Sequence, residues 1–270
     1  MTHLAYLPRL GVIAVSGADR VSFLNGLLSN DVAVAPGRAI FAALLTAQGR
    51  YRSDFIVFAD PDRLLLVTRR DEIASILPLL RRYRLRAQVE LADVSDSFAV
   101  HAGWGGTVET AERHAPDPRL AEAGSIILAA GLLACTATAS AYDSHRLALG
   151  LPDGPPDLEP EKTLLMEAGF DELAGISWTK GCYMGQELTA RTRYRGLVKR
   201  RLVPVTLAGP LPALGTLIHA GEREVGDIRS GRDHLALAMV RVDSLRLGLH
   251  AGDIAVKPHI PHWMRLPEPA

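Results

Sequence analysis

Cysteine is scarce in this chain: 270 residues hold two, Cys135 and Cys182. A secreted disulfide scaffold carries more, so both thiols are expected reduced, in a cytoplasm-like compartment. Cys135 lies in the apolar run Leu132-Leu133-Ala134-Cys135 and reads as a small buried hydrophobe. Cys and His show no zinc-type pairing, and the nine histidines are scattered, so no resident metal is expected. Net charge is absent too: thirty basic residues face thirty acidic ones. A generic nucleic-acid binder carries a basic excess, which counts against that class and leaves any anion to local clustering of charge. Long apolar runs are missing, and none approaches the roughly twenty residues that span a bilayer. Met1 to Leu10 lacks the basic start and apolar stretch of a signal peptide. Internal repeats and low-complexity tracts are also lacking. The remainder, 48% hydrophobic and 22% charged, is a soluble globular composition with length for two or three domains.

Ser16-Gly17-Ala18-Asp19 reads as a helix start, with Val21, Leu24, Leu27 and Leu28 at core-facing spacing. Asn30 and Asp31 follow as turn formers. Strands are expected over 40–46, 54–59, 64–68, 87–91 and 97–102. A helix carrying Ile73, Ile76, Leu77 and Leu80 interrupts them, kinked or shortened at Pro78. That order suggests an α+β sandwich with helices on one sheet face. Residues 104–119 read as a loop, 125–130 and 132–138 as a hairpin around Gly131, and 141–149 as a helix. Glu161 to Ala168 reads as a short helix capped by Gly169, and 185–193 as another. Beyond Gly196, short apolar runs alternate with Gly and Pro, the texture of a small antiparallel barrel or sandwich.

The chemistry concentrates in Lys180-Gly181-Cys182-Tyr183-Met184-Gly185-Gln186-Glu187. Its glycines permit φ > 0 and close backbone approach. A cation near a thiol lowers its pKa toward the thiolate, which is the expectation for Lys180 and Cys182. Arg191 and Arg195, one helical turn apart, suit recognition of a carboxylate or phosphate, or form a solvated face. Glu167 ends an apolar stretch. It is either a surface carboxylate or the acceptor of two parallel N–H bonds from an amino-pyrimidine edge. Asn30-Asp31 is by default a turn.

The octet resembles the signature of the YgfZ-like family, K-G-C-[FYW]-x-G-Q-E, and matches its fixed positions. The resemblance extends to Gly17-Ala18-Asp19 and Phe23 to Val32, to Arg146 with Leu149-Gly150-Leu151-Pro152, to Ala190-Arg191 and Tyr194-Arg195-Gly196, and to Val225 to Ser230. That family is related to the T-protein (aminomethyltransferase) of glycine cleavage. The resemblance implies an α+β fold with three domains in a ring: a split folate-binding core over 1–45 and 94–196, an inserted ferredoxin-like part over 46–93, and a C-terminal antiparallel β-barrel over 197–270. It also implies tetrahydrofolate in the ring and a role in assembling or repairing iron–sulfur clusters, mainly of the four-iron type. The partners would then be client proteins or assembly machinery, with no nucleic acid and no membrane.

Met166-Glu167-Ala168-Gly169 looks like the T-protein's L-E-A-G-L stretch, which would make Glu167 the pterin partner. Cys182 and Lys180 form the expected reactive pair. Tyr183, Glu187, Arg191, Arg195, Asn30 and Asp31 complete the expected folate-binding set. In the R-L-E-A-G-L-P stretch of the T-protein the acid is replaced by Ala148, which counts against glycine-cleavage chemistry. Two other classes compete: a folate-dependent aminomethyl or one-carbon transferase, and a ligand-free scaffold for a client protein.

Overall fold

The computed structural model describes residues 1–34, 37–196 and 198–266; positions 35, 36, 197 and 267–270, which include both ends of the expected barrel segment, lie outside the described residues. The chain opens with β1 (His3–Tyr6), β2 (Leu10–Ser16) and the short helix α1 (Arg20–Asn25). Next come β3 (Ala39–Leu45), β4 (Tyr51–Ala59), β5 (Arg63–Arg69), α2 (Arg70–Arg84) and β6 (Glu90–Asp93). β7 (Ala99–Trp104), β8 (Arg113–Pro116) and β9 (Ser125–Ala129) lead into α3 (Ala139–Leu149) and, after a long connection, α4 (Gln186–Tyr194). The last third is all strand: β10 (Arg200–Leu207), β11 (Leu217–Ala220), β12 (Arg223–Arg232), β13 (Leu235–Arg241), β14 (Leu249–Ala251) and β15 (Ile254–Pro258).

Three antiparallel sheets result: β3-β4-β5-β2-β6, β1-β7-β9-β8 and the closed barrel β10-β13-β12-β11-β14-β15. Side chains of a strand alternate between faces, and β2, β4 and β5 are apolar on both. Val12, Ala14, Ile56, Phe58, Leu65 and Val67 face one core, shared with Val100, Ala102, Ile126 and Leu128 of the second sheet. Ile13, Val15, Phe55, Val57, Leu64 and Leu66 face the other, which α1 and α2 cover with Phe23, Leu24, Ile73, Ile76 and Leu80. The barrel encloses its own core. β3 and β4 pair over their full length, so a division between residues 45 and 46 runs through one hairpin.

Several local expectations are corrected. α2 runs unbroken through Pro78, because its buried stripe of Ile73, Ile76, Leu77 and Leu80 outweighs the lost backbone bond. β9 pairs with β7 and β8, not with residues 132–138, which form no strand. Cys135 is exposed there rather than buried. Residues 161–168 form successive turns, not a helix, although Gly169 does take a positive φ of 78°. Among the described residues no helix is long and apolar enough to cross a membrane.

Candidate functional site

The loop bearing Cys182 is strapped down on both sides. Upstream, Ser177 N–H donates to the Ser29 carbonyl (3.0 Å), and Lys180 N–H to Ser177 Oγ (3.2 Å). Downstream, Met184 N–H donates to the Gly26 carbonyl (3.0 Å). Gly185 holds a φ of 80°, and a Cβ there would stand 2.5 Å from the Thr46 carbonyl oxygen. This close approach seats the start of α4 on the β3–β4 turn at Gly49, whose own Cβ would meet the Gly185 carbonyl at 2.7 Å. Gly181 differs: its φ is not positive, and a Cβ would meet nothing within 4 Å. Between these supports Cys182 is exposed and free.

Lys180, expected beside the thiol, is engaged with the turn after α1. Its Nζ donates to the carbonyls of Leu28 (2.7 Å) and Asn30 (2.9 Å), at the turn after α1, and no hydrogen bond joins it to Cys182. Burial lowers its pKa to about 8, with nearby Asp31 opposing. Tyr183 is also turned inward. Its ring belongs to the main core, with Lys180 Nζ 5.2 Å above it. Burial pushes its phenol up to about 12. The Tyr183 hydroxyl and that of Thr189 on α4 are buried with only each other nearby. Asn30 is a bracket: its amide donates to the carbonyls of Phe41 (2.8 Å) and Ala174 (2.7 Å). Asp31 accepts from Ala33 N–H and Asn25 Nδ2, both at 2.9 Å, and these bonds hold its pKa below the ordinary value. Four of the residues expected to bind ligand or act chemically therefore form the mount of the Cys182 loop.

Glu167 lies apart from that mount and is only 6% exposed. Its Oε1 is 3.6 Å from Arg200 Nε, while Oε2 is buried with no partner. Burial of a carboxylate oxygen is costly unless a donor reaches it, so this atom fits a ligand bearing N–H groups. Glu187 is exposed in the first turn of α4, where the helix dipole favours an acid. Arg191 and Arg195 are exposed and pair with no described acid. Arg193, of the same basic stretch, has its guanidinium 4.0 Å over the Trp178 ring, and Trp178 Nε1 donates to Asp171 at 2.6 Å.

A second centre was missed altogether. Asp54 on β4, half-buried, lines a small cavity of about 40 Å³ with Arg9, Arg69, Arg119, Arg146 and Asp153. Tyr51 hydroxyl donates to Asp54 at 2.6 Å. Desolvation raises the Asp54 carboxyl to about 6. Arg146 on α3 bonds Asp157 (2.9 Å) and Ser230 Oγ of the barrel (2.9 Å), so the cluster ties α3 to the barrel. The available signal was a carboxylate directly before the apolar strand run Phe55 to Ala59.

Two family models match: the CAF17 C-terminal β-barrel domain over residues 199–266, and the GCVT N-terminal domain over 6–110. Among curated proteins, the mitochondrial iron–sulfur cluster assembly factors IBA57 of Mus musculus and Homo sapiens are each 30% identical, with 93% of this chain and 82% of the relative covered. The chain belongs to the IBA57 family of iron–sulfur cluster assembly factors. A homologue of that name from Mycosarcoma maydis is 34% identical over 77% of this chain, which spans 59% of the relative's length. The IBA57 relatives overturn the expected cytoplasmic location, since all three are named as mitochondrial. The fold is that of the T-protein: the glycine cleavage aminomethyltransferase T of Bartonella henselae superposes with a TM-score of 0.77 at 17% identity, over 98% of this chain and 87% of that one.

Proposed function

We propose that the chain is an accessory factor of iron–sulfur cluster assembly that presents Cys182 as a single sulfur ligand to a cluster carried by a partner protein. The observation that carries this reading is an exposed thiol on a loop fixed at Lys180 and Met184, with no use inside the fold. Clusters of this kind take four thiolates, and among the described residues no group of three or more His, Cys, Asp or Glu could hold a metal ion. The other ligands therefore come from the partner. The octet's likeness to YgfZ-like proteins supports the same role. A strain lacking the chain is expected to lose activity of four-iron enzymes, with rescue by the wild type and not by Cys182→Ser. Full rescue by Cys182→Ser ends the thiol's part in this reading.

The kinship to T-proteins supports tetrahydrofolate as a ligand. The residues present fit at one point, the orphaned buried Oε2 of Glu167, which lacks the N–H donors that a pterin edge supplies. Bound there, the folate would supply a one-carbon carrier. Glu167→Ala is expected to weaken tetrahydrofolate binding by about 1.5–3 kcal/mol. An unchanged calorimetric affinity removes Glu167 from the site.

A second reading, folate-dependent one-carbon transfer, is favoured by Asp54 alone, a carboxyl raised to about 6 that faces a small polar cavity. Methylenetetrahydrofolate formed from an aminomethyl donor, and lost in Asp54→Asn, is the result that would place it first.

A further inference from the structure

We propose that the basic and aromatic surface at the C-terminal end of α4 is a docking site for an acidic protein, and that docking there brings the partner over Cys182. The inference deepens the reading above and rests on its premise that the chain acts on a partner. The chain carries no net charge, so any local excess stands out. Between Glu187 and Arg201 there are six cations and one acid. Arg201 is held by Glu172 at 2.7 Å, and Arg200 faces Glu167. Arg191, Arg195 and Lys199 are exposed and form no ion pair with a described residue. Beside them Tyr194 is 79% exposed, edge-on to Trp178, whose face Arg193 covers.

An exposed Tyr and exposed Arg beside a half-buried Trp are the composition of protein–protein hot spots. Next to Arg193 opens a recess of about 210 Å³ lined by Met166, Val198 and Leu266, room for one large apolar side chain of a partner; its two acids, Asp171 and Glu172, lie against Arg193 (3.9 Å) and Arg201. A bare polyanion has no use for such a recess. The helix end also argues against tight phosphate capture: its free backbone groups there are carbonyls, which repel an anion, so the attraction comes from the arginine side chains.

Scale supports a single footprint. α4 has nine residues, roughly 14 Å of helix at 1.5 Å per residue, with Cys182 just before its start. A standard interface buries about 800 Å² on each partner, a disc about 30 Å across. One acidic partner seated on Arg191, Arg193 and Tyr194 is therefore wide enough to reach the thiol.

The test places a photo-crosslinking phenylalanine derivative at position 194 of the full chain in its own cells and identifies the captured peptide by mass spectrometry. The expected peptide is acidic. Its capture falls at least tenfold in Arg191→Glu/Arg195→Glu and returns when the acidic residues of the captured segment are reversed to lysine. Capture of a neutral or basic segment, indifference to the charge reversal, the same capture from a probe at exposed Leu214, or no capture at all overturns the proposal. The competing anion is the polyglutamate tail of a folate. Calorimetry with pentaglutamyl tetrahydrofolate is expected to show no change in the double variant, and a tenfold loss assigns the arginines to the tail and overturns docking. Cys182→Ser is expected to keep the capture, since docking stands on α4. Lost capture in that variant overturns the proposal. Capture kept while the variant rescues four-iron enzymes would count against the thiol alone and leave docking standing.

Discussion

Gly181 and Gly185 are identical in the sequence and opposite in the structure. Gly185 combines a φ of 80° with a Cβ position 2.5 Å from a backbone oxygen. Left-handed geometry costs a non-glycine residue about 1–2 kcal/mol, and overpacking against backbone costs about 1–3 kcal/mol more. Gly185→Ala is therefore expected to lose about 2–5 kcal/mol of unfolding free energy in urea titration. Gly181→Ala should leave that midpoint unchanged, because its Cβ would enter open space. A loss of rescue in Gly181→Ala at full stability would report an approaching partner and nothing about the fold. The octet itself was legible as a motif, since its spacing is specific. The directions of its side chains were not. Lys180 is drawn from Cys182 by two backbone carbonyls of the α1 turn, 150 and more residues away in sequence, and no local pattern encodes a contact of that range.

At the scale of elements, the turn after α1 works as a clamp on the connection leading to Cys182. Ser29 Oγ donates to the Gly175 carbonyl (2.6 Å) and accepts from Ala43 N–H (2.8 Å), while Asn30 spans Phe41 and Ala174. Phe170 completes the clamp, fully buried and stacked on Phe41 at 4.6 Å. Asn30→Ala leaves two carbonyls without a donor and is expected to cost about 1–3 kcal/mol. Phe170→Ala opens a cavity and should cost about 3–5 kcal/mol. Urea unfolding measures both, and if either costs under half a kcal/mol the clamp is not what holds the loop. The strands of the first half and of the barrel were readable from their apolar runs and turn residues, with β1, β2, β8 and β14 unread. Residues 161–168 misled because apolar Leu164, Leu165 and Met166 mimic one helical turn. Their burial instead comes from tertiary packing, which overrides a pattern that short.

Across the whole molecule, charge gathers where β4, β5, α3 and the barrel come together, and two carboxyls are raised toward neutrality. Desolvation raises Asp54 to about 6 and Glu72, on α2, to about 7; the Asp54 charge adds to the rise of Glu72, while Asp153 and Asp157 add to that of Asp54. A carboxyl whose folded pKa is raised keeps a proton that the unfolded chain releases. Its stabilisation is full below the unfolded pKa and is lost as pH rises through the folded value. These two groups therefore lower stability between about pH 4 and 7. His101 and His145, held below their ordinary value by burial, act in the opposite sense as pH rises toward 6.5. The total curve mixes the two effects, but a comparison of variants separates them, because the histidine contribution is common to both proteins. Asp54→Asn/Glu72→Gln replaces both carboxyls by amides that do not ionise. The gap in unfolding free energy between variant and wild type is expected to move in the variant's favour by a few kcal/mol from pH 4 to pH 8, since a tenfold difference in proton affinity between folded and unfolded chain is worth about 1.4 kcal/mol. A gap constant with pH would mean that both carboxyls ionise as freely in the fold as in the open chain. In that case Asp54 would also lose its standing as an acid able to hold a proton in the central cavity.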